Sequence, residues 1–183
     1  MRRLFTALGL AFAVLAAGCD DGGSTYLPVV KPGHPAPDFQ IKDMDGEVFR
    51  LSNERGRVVV LYFWRYKCEE CVEGLESLEK LYRRYRDRGL EVVGVDADSV
   101  HSATRHEVRD LMERRRLSFR VIYDENGFVA EAFQVMKAPA AYVIGRDGVL
   151  VGIIEGARQW TGPEATALVE AALEGSAAGG GGR

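Results

Sequence analysis

The chain has 183 residues, of which 46% are hydrophobic and 28% charged, with a formal net charge of -3. That is the make-up of one globular domain with a sizeable core and short appendages. The acidic balance argues against a nucleic-acid partner, whose binding surface is ordinarily basic. The runs Arg83-Arg84 and Arg114-Arg115-Arg116 are expected on solvated helix faces or ends.

Residues 1–18 have the layout of an export signal: Arg2 and Arg3, an apolar run broken by Thr6, then small residues before Cys19. The ending Ala16-Ala17-Gly18-Cys19 is similar to a bacterial lipobox, although Ala16 stands where leucine is usual and Leu15 lies one place back. The resemblance implies cleavage before Cys19 and a lipid on its sulfur. A plain signal peptide and an uncleaved anchor stay open as alternatives, the apolar run being short for a membrane span. Asp20 and Asp21 resemble the inner-membrane retention signal of Gram-negative lipoproteins. Of the three cysteines, one would carry the lipid and two remain, so none is left for a structural disulfide. Without the signal the chain keeps 22 basic against 27 acidic residues, so anchoring would rest on acyl chains rather than on charge.

Residues 19–31 lack periodicity and read as a tether. The domain is expected over 32–175. Its prolines at 32, 35 and 37 predict an extended entry, and the turn 43–46 predicts a hairpin between strands 39–42 and 47–51. Ser52 is expected to cap a short helical turn that Gly56 ends. The uncharged run 58–64, VVVLYFW, predicts a strand buried on both faces. From residue 71 the period changes: Val72, Leu75, Leu78, Leu81, Tyr82 and Tyr85 mark an amphipathic helix over 71–88, closed by Gly89. Then come a strand at 90–96, a polar helix at 99–116, a strand at 119–123 and a short helix at 127–135. Strands at 140–145 and 149–155 flank Asp147-Gly148, a hairpin signal, and Pro163 opens a last helix to 174. Residues 176–183 form a glycine-rich tail. Alternating strands and helices followed by an antiparallel pair predict an α/β domain with a mixed sheet flanked by helices.

Cys68 and Cys71 stand where the buried strand hands over to the helix. A helix N-terminus offers unpaired N–H groups and a partial positive charge, which favour a thiolate. The thiolate is the species that attacks disulfides. Cys68 is therefore expected to be the attacking nucleophile and Cys71 the resolving thiol, the two cycling through a Cys68–Cys71 disulfide.

With these pieces in order, the chain resembles the thioredoxin-like superfamily, specifically the TlpA/ResA-like membrane-tethered thiol–disulfide oxidoreductases. The resemblance runs from Gly33 to about Gly156. It is carried by PAPDF at 35–39, Phe63-Trp64, CEEC at 68–71, LEVVGVDAD at 90–98, YDENGFVAEAFQV at 123–135 and APAAYVIGRDG at 138–148. It implies a thioredoxin-like fold with an N-terminal hairpin extension, and a cis-proline at Pro139 facing the cysteines. Ala138 and Pro139 would form a platform for an extended substrate segment. It implies disulfide-bearing exported proteins as substrates, for example apocytochrome c cysteines, and a membrane thiol carrier as reductant. It also implies a periplasmic location at the inner membrane, no cofactor and a monomer. An aromatic rim from Trp64 and Tyr66 would help bind substrate, with core packing the other reading of Trp64. The chain departs from its relatives in having Lys67 before the first cysteine and no proline between the two. Relatives carry a buried acid at positions that here are Tyr62 and Gly74. Glu73 could substitute in proton transfer, unless it faces solvent.

Other chemistries fit less well. Zinc would need two ligands beyond Cys68 and Cys71, and His101 and His106 lie some thirty residues on. A Sco-type copper chaperone has three residues between its cysteines, against two here, and needs a downstream histidine, whereas none follows His106 and His34 precedes the fold. Reduced thiolates could still take Cu(I). A peroxiredoxin needs Thr or Ser and a proline ahead of its cysteine, and Arg65-Tyr66-Lys67 supplies neither. A non-catalytic binding module on the same fold is the remaining alternative.

Overall fold

The computed structural model describes residues 29–97, 103–156 and 159–175. The expected leader (1–18), Cys19, most of the tether, His101 and the tail lie outside the described residues. Strand β1 (Gln40–Lys42) and β2 (Val48–Arg50) form the antiparallel hairpin. The central sheet has the order β5-β4-β3-β6-β7, with β3 Val58–Trp64, β4 Leu90–Asp96, β5 Arg120–Tyr123, β6 Ala140–Ile144 and β7 Leu150–Glu155. Strands β3, β4 and β5 are parallel, while β6 and β7 run antiparallel to their neighbours. This is the expected mixed sheet, flanked by helices α1 (Glu69–Tyr85), α2 (Arg105–Arg115), α3 (Phe128–Ala132) and α4 (Pro163–Leu173).

Every residue of β3 is buried, because both faces of the sheet are covered. Val58, Val60, Tyr62 and Trp64 join Leu75 and Leu78 of α1, Val108 of α2 and Val169 of α4 in one core. Val59, Leu61 and Phe63 point the other way, to Phe39 and Phe49 of the hairpin region and to Val129 and Phe133 around α3. The two-residue alternation of a strand thus divides one sequence run between two cores.

Both sheet edges are covered. The Met44 N–H at the hairpin turn donates to the Val121 carbonyl on β5 (2.9 Å). On the other edge, Gly33 donates to the Leu150 carbonyl (2.8 Å) and Pro35 bridges to Val149. The extended entry therefore closes an edge that could otherwise pair with another chain.

Of the departures from expectation at element ends, three have a clear local cause. Helix α1 begins at Glu69 rather than 71, since Cys68 itself is the N-cap. It continues through a 3-10 turn (Arg86–Arg88) to Gly89, whose φ of 93° a side chain would disfavour. Helix α2 begins at Arg105, because Thr104 and Glu107 form a capping box in which each side chain accepts the other's N–H. Ser52 does not cap its turn (Leu51–Glu54). Arg50 occupies that place, and the Ser52 N–H donates to Asp38 Oδ1 (2.8 Å).

Candidate active site

The site lies where β3 leaves the sheet. After Trp64 the chain turns through Arg65, Tyr66 and Lys67, and the Cys68 N–H closes the turn on the Arg65 carbonyl (3.2 Å). Cys68 has extended backbone and caps α1 with its sulfur: Sγ accepts the Cys71 N–H at 3.2 Å. Ser, Asp or Asn oxygens usually fill this role. Here the acceptor is the sulfur expected to react, so the same N–H would also steady a Cys68 thiolate.

Cys68 and Cys71 form a disulfide with a Cα separation of 5.1 Å. Their exposures differ: Cys68 is half-buried, whereas Cys71 is sealed in the core with Leu75, Tyr62 and Trp160. An incoming disulfide can therefore reach Cys68 only. Glu69, Glu70 and Glu73 are exposed, as are Arg65 and Lys67.

Pro139 is preceded by a cis peptide bond and is buried, with half-buried Ala138 before it. Ala140 pairs with Phe63 in the register, so this segment enters β6 at the end of β3 from which the redox turn departs. Ala138 packs against the core that contains Cys71. The Pro139 carbonyl accepts the Gly156 N–H (2.8 Å), which ties this segment to the end of β7.

Two expected site residues sit elsewhere than a site role requires. Trp64 has no exposed surface, so it is a core residue beneath the redox turn and not part of an aromatic rim. Strand alternation aims it at the α1 face, while Tyr66, half-buried, packs against the same core. Glu73 is exposed on α1, on the side away from buried Cys71, and offers no buried acid. Among the described residues no group of three or more His, Cys, Asp or Glu is gathered as a metal-ligand set. His106 is exposed beside Asp110 (3.7 Å).

The arrangement around Cys71 was not foreseen. The Tyr62 hydroxyl donates to the Cys71 carbonyl (3.1 Å) and fills the space over Gly74, where an added Cβ would lie 2.1 Å from it. Burial pushes the Tyr62 phenol above the ordinary tyrosine range, so it remains a neutral donor. Ser77 donates to the Gly74 carbonyl (3.0 Å) and accepts the backbone N–H of Trp160 (3.0 Å). Trp160 meets the Tyr62 ring edge to face at 5.9 Å. The signal in the sequence was Gly74 itself, a costly residue inside an otherwise strong helix unless something must approach closely.

Comparison with known proteins agrees with this geometry. The AhpC/TSA family matches residues 32–153. The thiol–disulfide oxidoreductase ResA of Oceanobacillus iheyensis is 30% identical over 158 residues, covering 84% of this chain and 78% of that protein. The ResA of Geobacillus kaustophilus is 32% identical over 132 residues, covering 72% and 74%. A Chlorobium tepidum structure described as a thiol:disulfide interchange protein, DsbE, superposes with a TM-score of 0.72 at 26% identity, covering 79% of this chain and 99% of that one. With a buried thiol and an accessible one paired at a helix start, the chain belongs to the AhpC/TSA family and is a thioredoxin-fold thiol–disulfide oxidoreductase of the ResA and DsbE type.

Proposed function

We propose that the protein is a lipid-anchored, extracytoplasmic reductant of disulfides in exported proteins, with apocytochrome c cysteines as a substrate class. One observation carries the chemistry: Cys68 caps α1 and is partly exposed, while Cys71 lies buried behind it. In the reduced enzyme the Cys68 thiolate attacks a substrate disulfide. A Cys68–substrate S–S bond forms, the substrate's own S–S bond breaks, and the departing sulfur takes up a proton. Cys71 then loses its proton and attacks Cys68 Sγ. The Cys68–Cys71 bond forms and the mixed disulfide breaks, leaving the substrate reduced by two electrons and the enzyme oxidised. Ala138 and Pro139 offer the backbone along which an extended substrate segment would lie.

The leader-like residues 1–18, Cys19 and the stretch 19–31 support export, lipidation and a tether to a domain over 32–175, followed by the glycine-rich residues 176–183. Among the described residues no helix is long and apolar enough to cross a membrane, and the proposed attachment is the lipobox-like Cys19. Confinement to one surface would raise the effective concentration of substrate and of a membrane thiol reductant around a monomeric enzyme.

The test is the reduction potential of the Cys68–Cys71 pair. A value close to thioredoxin's, about -270 mV, supports a dedicated reductant, and one close to that of DsbA, about -120 mV, overturns that direction. Cys71→Ser should trap substrates on Cys68 in host membranes. If no mixed disulfides accumulate there, the exported-protein substrate is wrong.

A further inference from the structure

Between β3 and α1 runs a short chain of hydrogen bonds that touches both cysteines. The Tyr62 hydroxyl donates to the Cys71 carbonyl (3.1 Å). The peptide beyond that carbonyl carries the Val72 N–H, which donates to the Cys68 carbonyl (3.1 Å). The Cys71 N–H completes the loop on Cys68 Sγ (3.2 Å). Tyr62 therefore grips, from the sheet, the one peptide unit whose two ends face Cys71 and Cys68. Hydrogen bonds in series polarise one another in a buried setting, so loosening the first loosens the second.

The grip is also tightly fitted. Tyr62 is 1% exposed, its ring is held edge-on by Trp160, and its hydroxyl occupies the space that any side chain at Gly74 would need. A glycine one turn past Cys71 and a tyrosine six residues before Cys68 are thus a matched pair. Neither is a group that gains or loses a proton while the enzyme works.

We propose that Tyr62 is a positioning residue for the second half of exchange: it holds Cys71 on line with Cys68 Sγ so that the buried thiol resolves the mixed disulfide. This rests on the exchange chemistry assigned above. The first half needs only Cys68 and its N-cap N–H, and its accessible sulfur meets the substrate without help from Tyr62. The second half needs two sulfurs on one helical turn to keep their alignment while a substrate hangs on one of them. A backbone anchored at Cys71 supplies that.

The experiment uses the reduced full-length protein and glutathione disulfide, with acid quenching and mass spectrometry to count the Cys68–glutathione adduct. Tyr62→Phe keeps the ring and removes the hydroxyl. In a Cys71→Ser background, adduct formation should proceed within about twofold of the rate with Tyr62 present. With Cys71 in place, the adduct of Tyr62→Phe should persist about three- to tenfold longer, the span expected for one hydrogen bond. Gly74→Ala, which displaces the hydroxyl from the other side, should lengthen the adduct's life in the same direction. Across pH 6 to 9 the resolution rate of Tyr62→Phe should drop without moving the midpoint of its profile, since the hydroxyl aligns and does not titrate there. The proposal falls if the adduct's life is unchanged, if formation slows by the same factor, or if the midpoint moves. If the Cys71→Ser protein forms no adduct at all, the exchange reading itself fails, which is a separable result.

Discussion

Where β3, β4 and β5 begin, arginines tie the chain together; where β3 and β4 end, the exposed charges of the redox turn form no close ion pair among the described residues and backbone groups do the holding. At the first end Arg57 reaches Glu91 (2.5 Å) and Glu54 (3.2 Å), and Arg120 pairs with Asp43 on the hairpin turn. Arg146 donates to the carbonyls of Gly56, Arg88 and Leu173, joining three segments that meet there. At the second end Arg65, Lys67, Glu69, Glu70 and Glu73 enter none of the ion pairs found among the described residues. The Cys68 cap and the Tyr62–Cys71 bond give order there instead. Reduction must break the disulfide at this end and a substrate must dock on it, so fixed ion pairs would have to be undone in each cycle. Anchoring the sheet by its other end leaves the chemistry free.

The sharpest test of that division sets one substitution from each end side by side. Cys71→Ser should slow release of the Cys68–glutathione adduct by at least about a hundredfold when no external thiol is added, because the internal resolving sulfur is gone. Arg57→Ala should leave that release within about twofold and lower stability by roughly 1–2 kcal/mol, below a fully buried pair because the arginine is partly exposed. Urea unfolding reads the second value. If Arg57→Ala slows release as much as it destabilises, the two ends are not independent.

Next in size is Arg146→Ala. It strips donors from three carbonyls and should cost about 2–3 kcal/mol, a fall of several degrees in Tm by calorimetry. The potential of the cysteine pair should stay where it was, and a shift of more than about 30 mV would tie this anchor to the site.

A smaller effect is expected at Glu91. Burial raises its carboxyl above the ordinary glutamate value, outweighing the pull of Arg57. A folded pKa above the unfolded one means that the native state binds the proton more readily, so this group's contribution to stability declines as pH rises from about 4.5 through the folded value. Glu91→Gln removes that contribution. Its urea midpoint should fall less steeply between pH 4 and 6 than the wild type's, and at neutral pH stability should change by no more than about 1 kcal/mol. A steeper fall would reverse the sign.

The smallest belongs to the redox end. Replacing exposed Glu69 and Glu70 together by glutamine removes two negative charges beside Cys68. The Cys68 thiolate should then form more readily at low salt, measured by thiolate absorbance. The difference should shrink above about 0.1 M salt, where exposed charges are screened. Persistence at high salt would mean that these carboxylates act at closer range than their exposure suggests.

Much of this organisation was legible beforehand. The run 58–64 could only be a strand enclosed on both faces, and the spacing from Val72 to Tyr85 could only be a helix with one apolar side. Their junction placed Cys68 and Cys71 at a helix start, and the turns at 43–46 and 146–148 set the two hairpins. Such features are local, since a strand's or helix's period records how that element divides between core and water.

What the elements meet is not written in their period, and there the tertiary structure decided. Trp64 had the composition of a rim residue, but the strand's alternation and the cover of α1 place it wholly inside. Glu79 lies on a helix full of exposed charge, yet it is buried, because Ser118, thirty-nine residues on, brings a backbone N–H (2.8 Å) and a hydroxyl (2.6 Å) to it. Tyr62 and Gly74 show the same limit at the site itself. Each looked like a missing acid when taken alone, and only their contact across β3 and α1 made them one device. Sequence by itself determined the strand, the helix and the paired thiols at their junction, because those follow from local period and spacing. Which polar groups stand over the buried thiol depended on which distant side chains reach it, and that only the packed fold settles.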